Sequence, residues 1–346
     1  MTTGVLTEQL TKSFGSFKAL CGVDLEVPAG TVGAILGPNG AGKTTTIRIL
    51  ATLDQADSGQ AFVGGFDVRR EAHRVRSIVS LTGQYAAVDA DLTGRENLIM
   101  IGRLCRLTRV GARHRADELL ERFDLVSAAG RLTRTYSGGM RRRLDLALSL
   151  VRPPRVLFLD EPTTGLDPPS REELWSVVRE LRGAGTTIVL TTQYLEEADR
   201  LAERVSVIAS GKIVATGRPA DLKSTYGADV FELIAADHAV AEQAAKVLAQ
   251  RAGLGPDAIG AAQPDGYGSP DAAAGQDGPV SVTLPADTYS VVEAIRLLDT
   301  AGLWLDDIRV RRATLDEVFT ALTARPANRA RAGYLAEAAA QLAGDS

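Results

Sequence analysis

The stretch Thr31-Val32-Gly33-Ala34-Ile35-Leu36-Gly37-Pro38-Asn39-Gly40-Ala41-Gly42-Lys43-Thr44-Thr45-Thr46-Ile47-Arg48-Ile49-Leu50 decides how the rest of the chain is read. Residues 31–36 are an apolar strand pattern, 37–45 a glycine-rich loop, and 44–50 continue as a helix. Glycines in such a loop let backbone N–H groups approach phosphate oxygens closely, and the helix N-terminus adds partial positive charge. Gly37, Pro38, Asn39, Gly40, Ala41, Gly42, Lys43, Thr44 and Thr45 are therefore candidate phosphate-binding residues. Lys43 can reach the β- and γ-phosphates of a nucleotide, and the Thr44 hydroxyl can ligate Mg2+. A chance glycine-rich turn would not need to fall between a predicted strand and a predicted helix.

Two further segments add chemistry. Val156-Leu157-Phe158-Leu159-Asp160-Glu161-Pro162 is an apolar strand ending in two carboxylates. At the carboxyl edge of a parallel sheet these would lie beside the phosphate loop, with Asp160 for Mg2+ and Glu161 for an attacking water. Tyr136-Ser137-Gly138-Gly139-Met140 precedes a stretch of helical spacing. Ser137, Gly138 and Gly139 there form a second anion-binding helix start. Alone, Ser-Gly-Gly is more often a loop; just before an acidic strand it gains meaning. Taken in order, the three motifs imply ATP binding and hydrolysis. One chain then has two phosphate-binding helix starts but one set of catalytic carboxylates, which points to a protein that works as two copies.

Around these motifs, strand patterns recur at 5–10, 23–27, 187–192 and 204–209, and the pattern turns helical over 92–123. Strands alternating with helices imply a mainly parallel sheet covered by helices. Ser210-Gly211-Lys212 reads as a tight turn between two strands. The character changes near Tyr226-Gly227. Beyond it, strand patterns at 230–235, 280–284 and 303–310 and helical ones at 239–252, 288–300 and 315–323 describe a small α+β domain. Gly, Pro, Asp and Ala crowd 253–279, read as a flexible insert. The expected division is 1–226, with a helical subdomain at about 86–150, then 227–324, then a tail over 325–346.

The 346 residues carry a net charge of −4, so no basic field argues for nucleic acid. Only six of the 39 basic residues are Lys. Two cysteines and three scattered histidines make neither a disulfide framework nor a metal cluster. No basic start followed by an apolar run suggests a signal peptide, and no stretch is apolar enough to span a bilayer. Any membrane role needs spans from another polypeptide.

With its three motifs in this order, the chain resembles the nucleotide-binding subunit of an ATP-binding-cassette (ABC) transporter over about residues 4–225. The resemblance implies a P-loop α/β fold with a mainly parallel sheet, antiparallel N-terminal strands and a helical subdomain, followed here by the small C-terminal α+β domain. It implies ATP and Mg2+ as cofactors. It also implies a head-to-tail dimer, in which each ATP lies between one subunit's phosphate loop and the other's signature helix. A separate integral membrane permease would hold the pair peripherally at the cytoplasmic face of the membrane. Phe14, in Lys12-Ser13-Phe14-Gly15, takes the place of the aromatic that stacks on adenine. Gln84, in Thr82-Gly83-Gln84-Tyr85, matches the glutamine that senses Mg2+ and links to the permease. Asp167, in Gly165-Leu166-Asp167-Pro168, matches the loop that crosses the dimer seam.

Two departures stand out. Tyr136 and Met140 replace the usual Leu and Gln of the signature, while its Ser-Gly-Gly core is intact. Gln193, in Thr191-Thr192-Gln193-Tyr194-Leu195-Glu196-Glu197-Ala198-Asp199, occupies the place of the switch histidine and is expected to sense the γ-phosphate. That segment, the form of the Gln84 loop and Arg312-Ala313-Thr314-Leu315-Asp316-Glu317-Val318-Phe319-Thr320-Ala321-Leu322-Thr323 resemble the daunorubicin-resistance group, which exports drugs or secondary metabolites. Alternatives are an ABC ATPase exporting another amphipathic molecule, one with no membrane partner, and a non-catalytic binding module. Glu161 opposes the last. Arg141-Arg142-Arg143 reads as a solvated or interface face.

Overall fold

In the computed structural model, which describes residues 3–83, 88–235, 237–261, 280–285, 288–311 and 314–323, two compact units divide at Pro219/Ala220. The first unit begins with β1 (Thr3–Phe14) and β2 (Phe17–Pro28), paired antiparallel from Thr3↔Pro28 to Phe14↔Phe17. β3 (Val32–Leu36) is buried along its whole length, and α1 (Lys43–Leu50) follows the glycine-rich loop. β4 (Ser58–Val63) and β5 (Phe66–Asp67) complete an antiparallel sheet of order β2-β1-β4-β5. After α2 (Ala72–Ile78) and β6 (Val79–Thr82) come α3 (Gly94–Leu104), α4 (Arg109–Arg122) and α5 (Gly138–Ser149).

The rest of the unit is β7 (Val156–Asp160), α6 (Pro168–Gly183), β8 (Thr187–Thr192), α7 (Leu195–Leu201), β9 (Arg204–Ala209) and β10 (Lys212–Gly217). The second sheet runs β10-β9-β3-β8-β7-β6 and is parallel except at the β10 edge. β3, β7 and β8 are buried at every position, as the near-continuous apolar strands of a doubly covered parallel sheet must be. Phe158, wholly buried, packs in one core with Ile35, Ile47, Val189 and Ile208. Its burial stabilises the fold by about 1.5–3 kcal/mol. The important consequence is geometric. β3, β7 and β8 stop side by side, so the loop after Leu36, the pair Asp160-Glu161 and the segment after Thr192 share one sheet edge.

α8 (Pro219–Tyr226) carries the division between the units. The second unit contains β11 (Ala228–Ile234), α9 (His238–Arg251), β12 (Ile259–Ala261), β13 (Val280–Pro285), α10 (Val291–Thr300), β14 (Asp307–Arg311) and α11 (Leu315–Thr323). Its sheet, β12-β13-β11-β14, is antiparallel throughout. α9 buries Ala241, Ala244, Ala245, Leu248 and Ala249, the three-and-four spacing of an amphipathic helix. With Phe231, Val282, Ala294 and Leu298 they form this unit's own core. Residues 256–261, inside the stretch expected to be a flexible insert, form a 3-10 turn and the strand β12, which pairs with β13. The remainder of that stretch, 262–279, and the tail over 325–346 lie outside the described residues.

Candidate nucleotide-hydrolysis site

Gly42 caps α1 from a left-handed backbone, φ 109°, and an added Cβ there would meet the Ala19 carbonyl oxygen at 2.7 Å. Only glycine fits both demands. The loop is braced by Gly37 N–H on Thr192 O at 3.3 Å and by Gly211 N–H on Ala41 O at 3.0 Å. Lys43 turns inward: its ammonium donates to Gly37 O at 2.8 Å and Pro38 O at 3.2 Å, and lies 3.1 Å from Glu161 Oε1. Both side chains of that ion pair are buried.

Asp160 ends β7. Its Oδ1 accepts from Thr191 Oγ1 at 2.6 Å and from Thr44 Oγ1 at 3.2 Å. A hydroxyl and a carboxylate in contact are hard oxygen donors, the type that Mg2+ takes. Among the described residues no group of three or more His, Cys, Asp or Glu could hold a metal alone. Mg2+ does not need one when one or two carboxylates and substrate phosphates complete its shell. Glu161 has φ 49°, sparsely populated for a residue with a Cβ. Its N–H is fixed by Thr191 O at 3.1 Å and Thr191 Oγ1 at 3.0 Å.

A cavity of about 450 Å³ joins these parts and is lined by Phe14, Phe17, Ala19, Asn39, Gly40, Gly42, Lys43, Thr44, Thr45 and Glu161. Phe14 and Phe17 sit opposite one another at the end of the β1–β2 hairpin and are both more than half exposed. Lys12 Nζ lies 5.3 Å from the Phe14 ring centre. A larger cleft of about 780 Å³ opens at the opposite, amino ends of β7 and β8 and contains none of the motifs.

The chain matches the ABC transporter family over residues 20–164. It is 49% identical over 319 residues to a daunorubicin resistance ATP-binding protein, DrrA2, of Streptomyces coeruleorubidus, covering 92% of this chain and 94% of that one. The daunorubicin/doxorubicin resistance ATP-binding protein DrrA of Streptomyces peucetius is 46% identical over 328 residues, covering 94% of each. The chain belongs to the daunorubicin-resistance group of ABC transporter ATP-binding proteins. Among solved structures, a Clostridium perfringens protein that is part of an ABC transporter complex superposes with a TM-score of 0.59 at 25% identity, over 64% of this chain and 91% of that one.

As an ABC ATPase, the chain binds and hydrolyses ATP. Phe14, the loop residues Asn39, Gly40 and 42–45, and Glu161 meet in one cavity, whereas Gly37, Pro38 and Ala41 do not line it, and Asp160 hydrogen-bonds Thr44 beside it. Ser137, Gly138 and Gly139 line no part of that cavity. Ser137 is exposed at the N-cap of α5, where its Oγ accepts from Met140 N–H at 3.2 Å. Asp167 is exposed at the start of α6. Gln193 is half-buried just past β8, and its amide makes no side-chain hydrogen bond to any described residue. Gln84 lies outside the described residues.

Three residues escaped the sequence reading. Phe17 lines the cavity beside Phe14, and the pair of aromatics flanking a Gly-Ser turn was the available signal. Thr191 orients Asp160, for which no motif exists. Arg142 corrects an expectation outright. Its side chain is 12% exposed and turned into the protein, whereas Arg141-Arg142-Arg143 had read as a solvated or interface face.

Proposed function

We infer that this ATPase powers export of a drug or secondary metabolite through a separate membrane subunit, working as a head-to-tail pair with Mg2+ and ATP at each composite site. The observation that carries the catalytic part is the chain of contacts Lys43–Glu161 and Thr44–Asp160–Thr191 at one sheet edge. Phe14, with Phe17 beside it, offers a ring face to adenine. Backbone N–H groups of the loop cradle the β- and γ-phosphates, and the Lys43 ammonium exchanges carbonyl oxygens for phosphate oxygens. Thr44, Asp160 and Gln84 hold Mg2+, which when bound neutralises charge on the β- and γ-oxygens. Glu161 orients the attacking water, Gln193 offers amide donors to the γ-phosphate, and Asp167 lies at the seam between copies.

Ser137, Gly138 and Gly139 line no part of their own chain's cavity, which suits a role at the partner's nucleotide. No helix among the described residues is long and apolar enough to cross a membrane, in keeping with a peripheral subunit on the cytoplasmic face beside a permease. The relatives of Streptomyces coeruleorubidus and Streptomyces peucetius are daunorubicin and daunorubicin/doxorubicin resistance proteins, which supports a drug of that class as cargo. Co-expression with a neighbouring reading frame of about six apolar spans tests the reading. The pair is expected to co-purify from membranes and to lower accumulation of daunorubicin in cells. Lys43→Ala is expected to abolish the effect. Unchanged accumulation with the intact pair would leave an exporter of another amphipathic molecule.

A further inference from the structure

Arg142 projects from the first turns of α5 into the turn that carries the catalytic carboxylates. Its Nε donates to Pro162 O at 2.8 Å, and Nη2 lies 3.4 Å from Asp160 O and 3.3 Å from Glu161 O. Nη1 donates to Gly83 O at 2.7 Å, beside Gln84, and to Asp145 Oδ2 at 3.3 Å. Successive carbonyls of an extended strand point in opposite directions. Three of them gather on one guanidinium only because the chain curls at Glu161, where φ is 49°. Such backbone persists where its surroundings over-determine it, and a planar group with five donors does that where a point charge would not. Burial pushes the Arg142 pKa down while Asp145, Glu197 and Asp160 push it up.

We propose that Arg142 is a positioning residue for hydrolysis, tying the signature helix to the turn that aims Glu161 in the same chain. It joins the surface that one copy offers its partner's nucleotide to the carboxylate acting on its own. That second clause rests on the composite two-copy reading above.

Steady-state hydrolysis by the full chain tests it. Arg142→Met removes the donors and keeps the stem, while Arg142→Lys keeps the charge beside Asp145 but lacks the plane. The Met variant is expected to lose about ten- to a hundredfold in kcat, as a misaimed group does. Its KM for ATP should stay within about twofold, and the Lys variant should fall between Met and the unaltered chain. A merely structural role would lower the melting temperature and raise KM together. If Arg142→Met does not fold, Arg142→Lys carries the same test. A kcat near that of the unaltered chain, or a loss confined to KM, overturns the proposal.

Mixing inactive chains locates the effect. Lys43→Ala with Ser137→Arg places both defects in one site and should rebuild the other. Arg142→Met with Ser137→Arg should do the same. Arg142→Met with Lys43→Ala should not, because the one intact phosphate loop then belongs to the chain whose Glu161 is misaimed. Recovery in that last mixture equal to the first would assign Arg142 to the partner's site and sink the proposal. Failure of the first mixture alone removes the composite reading, and the kcat and KM split still decides Arg142.

Discussion

Lys43 and Glu161 neutralise each other across 3.1 Å with both side chains buried, so each makes the other's charge tolerable where a lone ion would be costly. Gln193 has no such partner among the described residues. Its amide is a neutral donor and cannot gain a proton as a histidine would. Gln193→Ala is expected to cut hydrolysis well below the unaltered chain, and Gln193→His to be tolerated and to introduce a titration near neutral pH. Normal turnover in the alanine variant would remove Gln193 from the mechanism. Four residues on, Glu197 is wholly buried, with Oε1 accepting from Trp175 Nε1 at 3.3 Å. Burial pushes its pKa above the usual 4.5, opposed in part by hydrogen bonds and by the charge of Arg142. A carboxyl whose folded pKa is raised binds its proton more tightly in the folded chain. Its contribution to stability is therefore complete below the unfolded value and is lost as pH rises through the folded one. Glu197→Gln should remove this dependence. Its stability relative to the unaltered chain, measured by denaturant titration at several pH values, is expected to rise from acid toward neutral pH. A gap that does not change with pH would refute the burial argument.

At the scale of elements, the helical pattern over 92–123 is two helices, α3 and α4. Arg106 has φ 66° and ends the first path, and Thr108 caps the second by accepting from Gly111 N–H at 3.0 Å. The start of α3 is set by Thr93 and Glu96 in a capping box, worth about 1 kcal/mol. The departure at Tyr136 also resolves here. Its hydroxyl donates to Ala128 O at 2.7 Å in a buried site, and a Cβ on Gly94 would lie 2.3 Å from the Tyr136 hydroxyl oxygen. Tyrosine thus anchors the signature to the start of α3, and glycine at 94 is its counterpart. Gly94→Ala is expected to cost about 1–3 kcal/mol by overpacking. Tyr136→Leu should relieve most of that cost, with a coupling readable in a double-mutant cycle. Additive losses would show that the two do not share the space.

At the scale of the molecule, the cavity that gathers Phe14 and the phosphate loop is not lined by Ser137 of the same chain, and on the composite two-copy reading proposed above nucleotide would be a ligand of the pair. Anything that binds the paired state alone stabilises it by mass action. Glu161→Gln spares the phosphate contacts and removes the carboxylate proposed to orient water, so it is expected to bind ATP, to lose turnover and to accumulate as dimer. Size-exclusion chromatography with ATP against ADP reads this out, and equal elution in both would argue against nucleotide-driven pairing.

The local motifs were legible because their chemistry is local. A glycine-rich loop between strand and helix, an apolar strand closing on two acids and a Ser-Gly-Gly helix start carry their meaning within a few residues. The bounds of β7, β8 and β9 fell where the apolar runs end, since strands buried on both faces need continuous apolar sequence. β4 and β6 passed unread. Ser58-Gly59-Gln60 opens the first with polar residues, and β6 is four residues long. Their pairing with β1 and β7 joins segments about fifty and eighty residues apart. The sequence by itself determined the reaction and where the glycine-rich loop and the Asp160-Glu161 pair fall relative to their strands. Only the tertiary structure decided that Thr191 orients Asp160 and that Arg142 turns inward. Both depend on carbonyls and carboxylates brought by other strands, and a side chain's direction is set by the partners that satisfy it, not by its neighbours in sequence.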